Sequence, residues 1–156
     1  MKRVLATVSV CLWSAVLFAA PDKSADIKAN AKSAGKVVLA TVEDVQSRFG
    51  TNEFGDRLIV SEVWLRVEET MKGSQQGLVS VDVEGGTVGD LTLRVSDLPM
   101  LAKGDRGVFL LDVVGSGHHK PHRRGDGILK LDHADRISGT TLQLSDVRAA
   151  VRNSAK

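Results

Sequence analysis

A period of two in the apolar residues constrains this chain most. Across residues 58–68, Ile59, Val63, Leu65 and Val67 share one parity while Glu62, Trp64, Arg66 and Glu68 share the other. A strand puts such sets on opposite faces, whereas a helix, with a period of about 3.6, would scatter them. One face is therefore predicted to be core and the other to meet water, with Trp64 the exception on the wet side.

The same signal returns along the chain. Residues 37–45 begin apolar on both faces (Val37, Val38, Leu39, Ala40) and then alternate. Val79, Val81 and Val83 oppose Ser80, Asp82 and Glu84, and after Gly85-Gly86 the pattern resumes in Leu91, Leu93 and Val95, so residues 79–95 read as a hairpin. Leu98-Pro99-Met100-Leu101 reads as a buried corner, because proline fits poorly within a sheet. Residues 108–111 with Val113 and Val114 are apolar on both faces, as a central strand is. Residues 128–131 and 137–144 offer two further short strands. Ser145-Asp146 then begins a helix, with Val147, Ala150 and Val151 at helical spacing.

Six or seven strands without long helical crossovers predict an all-β fold: a small antiparallel, partly open barrel with a short C-terminal helix, or alternatively a β-sandwich. The domain is expected to span residues 37–152, with 153–156 as a tail. Residues 21–36, mostly Asp, Lys, Ser, Ala and Asn around a lone Ile27, bury little and are expected to be a flexible lead-in or a frayed helix.

Residues 1–20 read as a secretory signal: Lys2 and Arg3 precede an uncharged run to Phe18, and Ala19-Ala20 offers a cleavage point. The run is shorter than the about 20 apolar residues a membrane span needs. Leu17 or Phe18 stands where a small residue is preferred, which leaves an uncleaved anchor as the alternative. The expected location is periplasmic or secreted, with no stable membrane insertion once the signal is removed. Lys2 and Arg3 account for the whole formal charge of +2, and Cys11 is the only cysteine. The exported part is then neutral and free of disulfides. Neutrality argues against nucleic acid as a partner, since that requires a basic patch or stripe.

The succession Val-Glu-Glu-Thr-Met-Lys-Gly at 67–73, Val-Ser-Val-Asp-Val-Glu-Gly-Gly at 79–86 and Leu-Pro-Met-Leu-Ala-Lys-Gly-Asp-Arg-Gly-Val-Phe-Leu-Leu at 98–111 resembles a group of uncharacterised bacterial exported β-barrel domains. More distantly it is similar to netrin-like modules of the oligonucleotide/oligosaccharide-binding (OB) barrel, a fold that secreted interaction domains share with tissue inhibitors of metalloproteases. The matching residues are mostly turn and core positions, so the resemblance implies fold. The inhibitors reach the protease metal through an amino-terminal cysteine, and no residue here can take that role.

His118, His119 and His122 fall within five positions beside Lys120, Arg123 and Arg124. Neutral imidazoles suit Zn, Cu or Ni, but the neighbouring cations oppose a metal. The stretch reads as a polar loop that either contacts an acidic partner or is simply solvated. Arg124-Gly125-Asp126 spells an adhesion tripeptide whose glycine a turn already explains. Gly85-Gly86-Thr87-Val88-Gly89 lacks the Lys-Ser/Thr of a phosphate loop. No serine stands on a strand-to-helix elbow, and His133 has no clustered partner. Trp64 is expected either to cover a small cluster under the C-terminal helix or to anchor a protein contact.

The expected function is that of an exported, non-enzymatic interaction or binding module whose partner is another extracytoplasmic protein. It has no cofactor, and Trp64, His118, His119, His122, Arg123 and Arg124 are its candidate contact residues. The alternative is an accessory metal-binding protein using the His118–His122 loop.

Overall fold

The structure, a computed structural model, describes residues 23–154 apart from Glu53 and Ser116. The predicted signal at 1–20 lies outside the described residues. The elements run α1 (Lys23–Ser33), β1 (Lys36–Thr51), β2 (Arg57–Lys72), β3 (Leu78–Glu84), β4 (Gly86–Val88), β5 (Leu91–Leu93), β6 (Arg106–Val114), β7 (His118–Pro121), a 3-10 turn at Arg124–Gly127, β8 (Ile128–Lys130) and α2 (Leu144–Ser154).

Six strands form one sheet in the order β1-β2-β3-β7-β6-β8, and β6 also pairs with β1, so the sheet curls into a partly closed barrel. All its pairings are antiparallel except β3 with β7, which run parallel and meet at a single pair, Val81 and His119. The sheet is thus mixed rather than wholly antiparallel, because the chain crosses the barrel end between β3 and β6 and returns as β7 beside β3. Three register shifts in β1, between Val37 and Asp44, mark where that strand bends to serve two neighbours.

The runs that are apolar on both faces prove to serve two cores. Val38, Ala40 and Val42 of β1 and Phe109 and Leu111 of β6 fill the barrel with Val63, Leu65, Val79, Val81 and Val83. Val37 and Leu39, with Val108 and Leu110, face the other way and pack beneath the helices. Strand parity assigned these faces correctly.

Over 23–33 the flexible lead-in gives way to the helical alternative, and the helix is docked rather than frayed. Those residues form α1, and Ile27, Ala31 and Ala34 are buried against Val147 and Val151 of α2 and the β1/β6 surface. Spacings of four and three put them on one helical stripe, but two of the three are alanines and give little hydrophobic signal. Lys72 fixes the end of α1 by donating to the carbonyls of Ala31, Lys32 and Ala34 at 2.9, 2.8 and 2.7 Å.

Four smaller expectations also change. The hairpin at 79–95 is really β4 with β5, turning at Gly89-Asp90, while β3 pairs with β2. Gly86 lets that hairpin lie on the sheet: a Cβ there would stand 2.2 Å from Ser61 Oγ and 2.4 Å from Ser47 Oγ. The corner at 98–101 is only partly buried, with Met100 exposed. Val113 and Val114 extend past the core and are exposed. Residues 137–144 make isolated bridges, Leu131 with Ile137 and Arg136 with Gln143, and no strand. The C-terminal helix forms as expected, with Asp146 accepting from the Gln143 N–H at 2.8 Å across its first turn.

Candidate binding groove

The site begins with a proline. Gly85 donates to the Ile59 carbonyl and Val67 to the Gly77 carbonyl, so alternation turns the backbone groups of the odd residues of β3 toward β2. The even ones, Asp82 and Glu84, turn theirs toward β7. In the parallel register that joins Val81 to His119, the next position would set Val83 against Pro121, which has no N–H to offer. Pairing stops there and the two strands part.

A groove of about 480 Å³ opens at this seam. Its walls are Asp82 and Glu84 of β3, Asp112 and Val114 of β6, His119 and Lys120 of β7, and the far end of the β1–β2 hairpin at Arg48, Asn52 and Val60. Leu98, Arg123 and Arg124 close it on the remaining side.

After Pro121 the chain turns so that β8 can pair with β6 beyond the point where β7 leaves it. Arg123 and Arg124 take left-handed conformations there, φ 51° and 61°. Such a conformation costs a non-glycine residue about 1–2 kcal/mol. Anchoring offsets it: Arg124 meets Asp97 at 2.6 and 3.2 Å and Glu84 at 3.0 Å. These hydrogen bonds, Asp97 first, raise the guanidinium above its ordinary range, so Arg124 is a fixed charge bracketing the open seam.

Arg48 and Arg123 are less committed. Arg48 approaches Glu62 at 4.0 Å and Asp82 at 3.9 Å, and Arg123 reaches the Asn30 amide oxygen at 3.4 Å. Asp82 Oδ1 is shielded from solvent and accepts no hydrogen bond.

The three clustered histidines do not share a loop. His118 and His119 belong to β7, and His122 starts the corner. His118 faces outward, 3.4 Å from Ser80 Oγ and 3.9 Å from Asp82. His119 is buried on the barrel side, its Nδ1 3.3 Å from the Ser80 carbonyl. His122 is buried between Asp112 and Ser33. The rings point to three places, and among the described residues no group of three or more His, Asp or Glu is placed to hold a metal ion.

Trp64 lies half-buried on the outer face, opposite Asp44 and Ser80. It does not support α2, which meets β2 further along through Met71 and the Arg148–Glu69 pair at 2.7 Å. Trp64 and His118 thus flank Ser80 on one outer face that continues into the groove, with Arg123 and Arg124 at its border. Arg48, Asp82, Glu84 and Asp112 were missed by sequence reasoning. Parity set Asp82 and Glu84 on a polar face, but nothing local said that β7 would diverge beside them.

Burial pushes the His119 imidazole below its ordinary 6.5, and nearby Lys36 and His118 add to the effect. Above 6.5 the ring is neutral folded or unfolded. As pH falls below that value the unfolded chain takes up a proton the folded one refuses, so stability falls. The thermal midpoint is expected to drop between about pH 7 and pH 5, and a His119→Asn variant to show a flatter profile. Identical slopes in the two proteins would contradict it. Asp97, held low by Arg124, and Asp132, held low by the Arg136 N–H, act separately, losing their stabilisation only as pH falls through values below 3.8.

The chain matches no protein-family model and no curated protein, so its functional reading rests on this geometry.

Proposed function

We propose that this chain is an exported binding module, periplasmic or secreted, whose seam groove receives an extended segment of another extracytoplasmic protein and holds it without turnover. The observation that carries the reading is the interrupted β3–β7 pairing. It leaves a strand edge at Asp82 and Glu84 beside the loosely held guanidinium groups of Arg48 and Arg123, whose contacts lie at 3.4–4.0 Å. A strand edge offers backbone hydrogen bonds to an extended peptide, and side-chain pockets beside it supply selectivity. The reading also fits what the sequence resemblance to the OB barrel implies. In that fold, ligands lie across strands 2 and 3 and the loops beside them.

Selection from a displayed library of random peptides tests the reading. Peptides carrying a carboxylate are expected to be enriched, and the double variant Arg48→Glu, Arg123→Glu to bind them at least about tenfold more weakly, equivalent to about 1.4 kcal/mol. Trp64 is the only tryptophan in residues 21–156 and, lying on the adjoining face, gives a direct fluorescence readout. Enriched peptides that bind wild type and double variant equally would sink the proposal.

A further inference from the structure

Ser33, His122 and Asp112 are far apart in sequence and form one hydrogen-bonded chain. Ser33 Oγ lies 2.8 Å from His122 Nε2, and His122 Nδ1 lies 2.9 and 3.0 Å from the two carboxylate oxygens of Asp112. An ionised carboxylate only accepts, so Nδ1 carries the ring hydrogen of the neutral imidazole and Nε2 presents its lone pair. The Ser33 hydroxyl is then the donor to Nε2. Nucleophile, base and orienting acid stand in the order that activates a serine.

The surroundings favour chemistry at Ser33. The residue is exposed whereas His122 is buried, so the nucleophile is accessible and its base sheltered. A helix C-terminus disfavours developing negative charge. Here two cations oppose that: Lys72 covers the carbonyls of Ala31, Lys32 and Ala34, and Arg123 reaches Asn30 one turn before Ser33. The competing acceptors for the hydroxyl, the carbonyls of Ala29 and Asn30, are more distant, at 3.1 and 3.3 Å.

We propose that Ser33 is a nucleophile activated by His122 and that Asp112 positions the imidazole, in acyl transfer from small activated esters to water. Ser33 Oγ attacks the acyl carbon as its proton passes to His122 Nε2. The tetrahedral adduct collapses, and the departing alkoxide takes that proton and leaves as the alcohol. Water then attacks the acyl-serine, giving a proton to Nε2. The proton returns to Ser33 Oγ as the acyl–oxygen bond breaks and the carboxylic acid is released. This activity is independent of peptide binding at the groove, although Asp112 also borders the groove.

A fluorophosphonate probe tests it on the purified exported protein. Displacement of fluoride by Ser33 Oγ is expected to leave one phosphonyl group on the peptide containing Ser33, detected by mass spectrometry. The same protein is expected to release p-nitrophenol from p-nitrophenyl acetate. Ser33→Ala should abolish both, and His122→Gln should slow labelling at least tenfold. Asp112→Asn should slow labelling and shift its pH profile, which a merely structural role would not do. Melting curves check that each variant is folded. If His122→Gln unfolds, Ser33→Ala and Asp112→Asn decide the matter. No adduct, an adduct elsewhere, or labelling unchanged in the folded His122 and Asp112 variants would overturn the proposal and leave the three residues as a tether for α1.

Discussion

Replacing Gly125 with alanine is expected to destabilise the protein by on the order of 3 kcal/mol, although the residue sits in a short turn and the change adds one methyl group. A Cβ at this position would stand 1.6 Å from the carbonyl oxygen of Asp97 and 2.8 Å from its carbon. Both are backbone atoms, so no side-chain rotation relieves the overlap. Either the 97–98 segment or the corner after His122 must move, and both choices strain the contact between Arg124 and Asp97. The groove should suffer with the fold, since Arg124 brackets the seam from that corner. Gly77→Ala is the control, because nothing lies within 4 Å of the added atom, and it should change stability by less than about 0.5 kcal/mol. Urea midpoints at constant slope give the comparison. Equal midpoints for the two variants would mean that the Asp97–Gly125 contact does not constrain the fold.

Gly125 also shows why the groove was hard to read from sequence. Within Arg124-Gly125-Asp126 its role looks like that of any turn glycine, and the reason for it is a carbonyl 28 residues earlier in the chain. The strand faces were legible because a local period determines them: the parity of Ile59, Val63 and Leu65 correctly marked their burial. The double-faced runs at 37–40 and 108–111 marked strands buried on both sides for the same reason, though not that the two sides belong to separate cores. Pairing between distant strands has no such local signature. Pro121 lies inside the stretch that reads as a polar loop, and only the neighbouring β3 turns its missing N–H into the end of a ladder. The docking of the helix at 23–33 was missed because its buried stripe is mostly alanine. Ser33, Asp112 and His122 could not be grouped by spacing, since α1, β6 and the corner come together only through the helix-side packing.

The largest losses are expected at neighbouring residues of β6 that belong to different cores. Phe109 is 1% exposed and fills the barrel, and Leu110, also 1% exposed, packs beneath the helices. Truncating a buried phenylalanine to alanine costs about 3–5 kcal/mol and a buried leucine about 2–5 kcal/mol, through lost transfer energy and the cavity left behind. Either change approaches the whole stability of a domain this size, about 5–15 kcal/mol. Val113→Ala on the same strand removes apolar atoms from a residue 62% exposed and should cost less than about 0.5 kcal/mol. The pair also tests whether the two cores act separately. Phe109 and Leu110 are adjacent in sequence, but their side chains leave opposite faces of the strand and line different clusters. Their losses should therefore add to within about 0.5 kcal/mol, as for sites that share no partners. If Phe109→Ala and Leu110→Ala are measured in a stabilising osmolyte to keep the double variant folded, a coupling above that limit would show that the cavities relax into one another across β6. Hydrogen exchange locates the effect: Leu110→Ala should release α1 and α2 before the barrel strands, and Phe109→Ala should loosen the barrel itself.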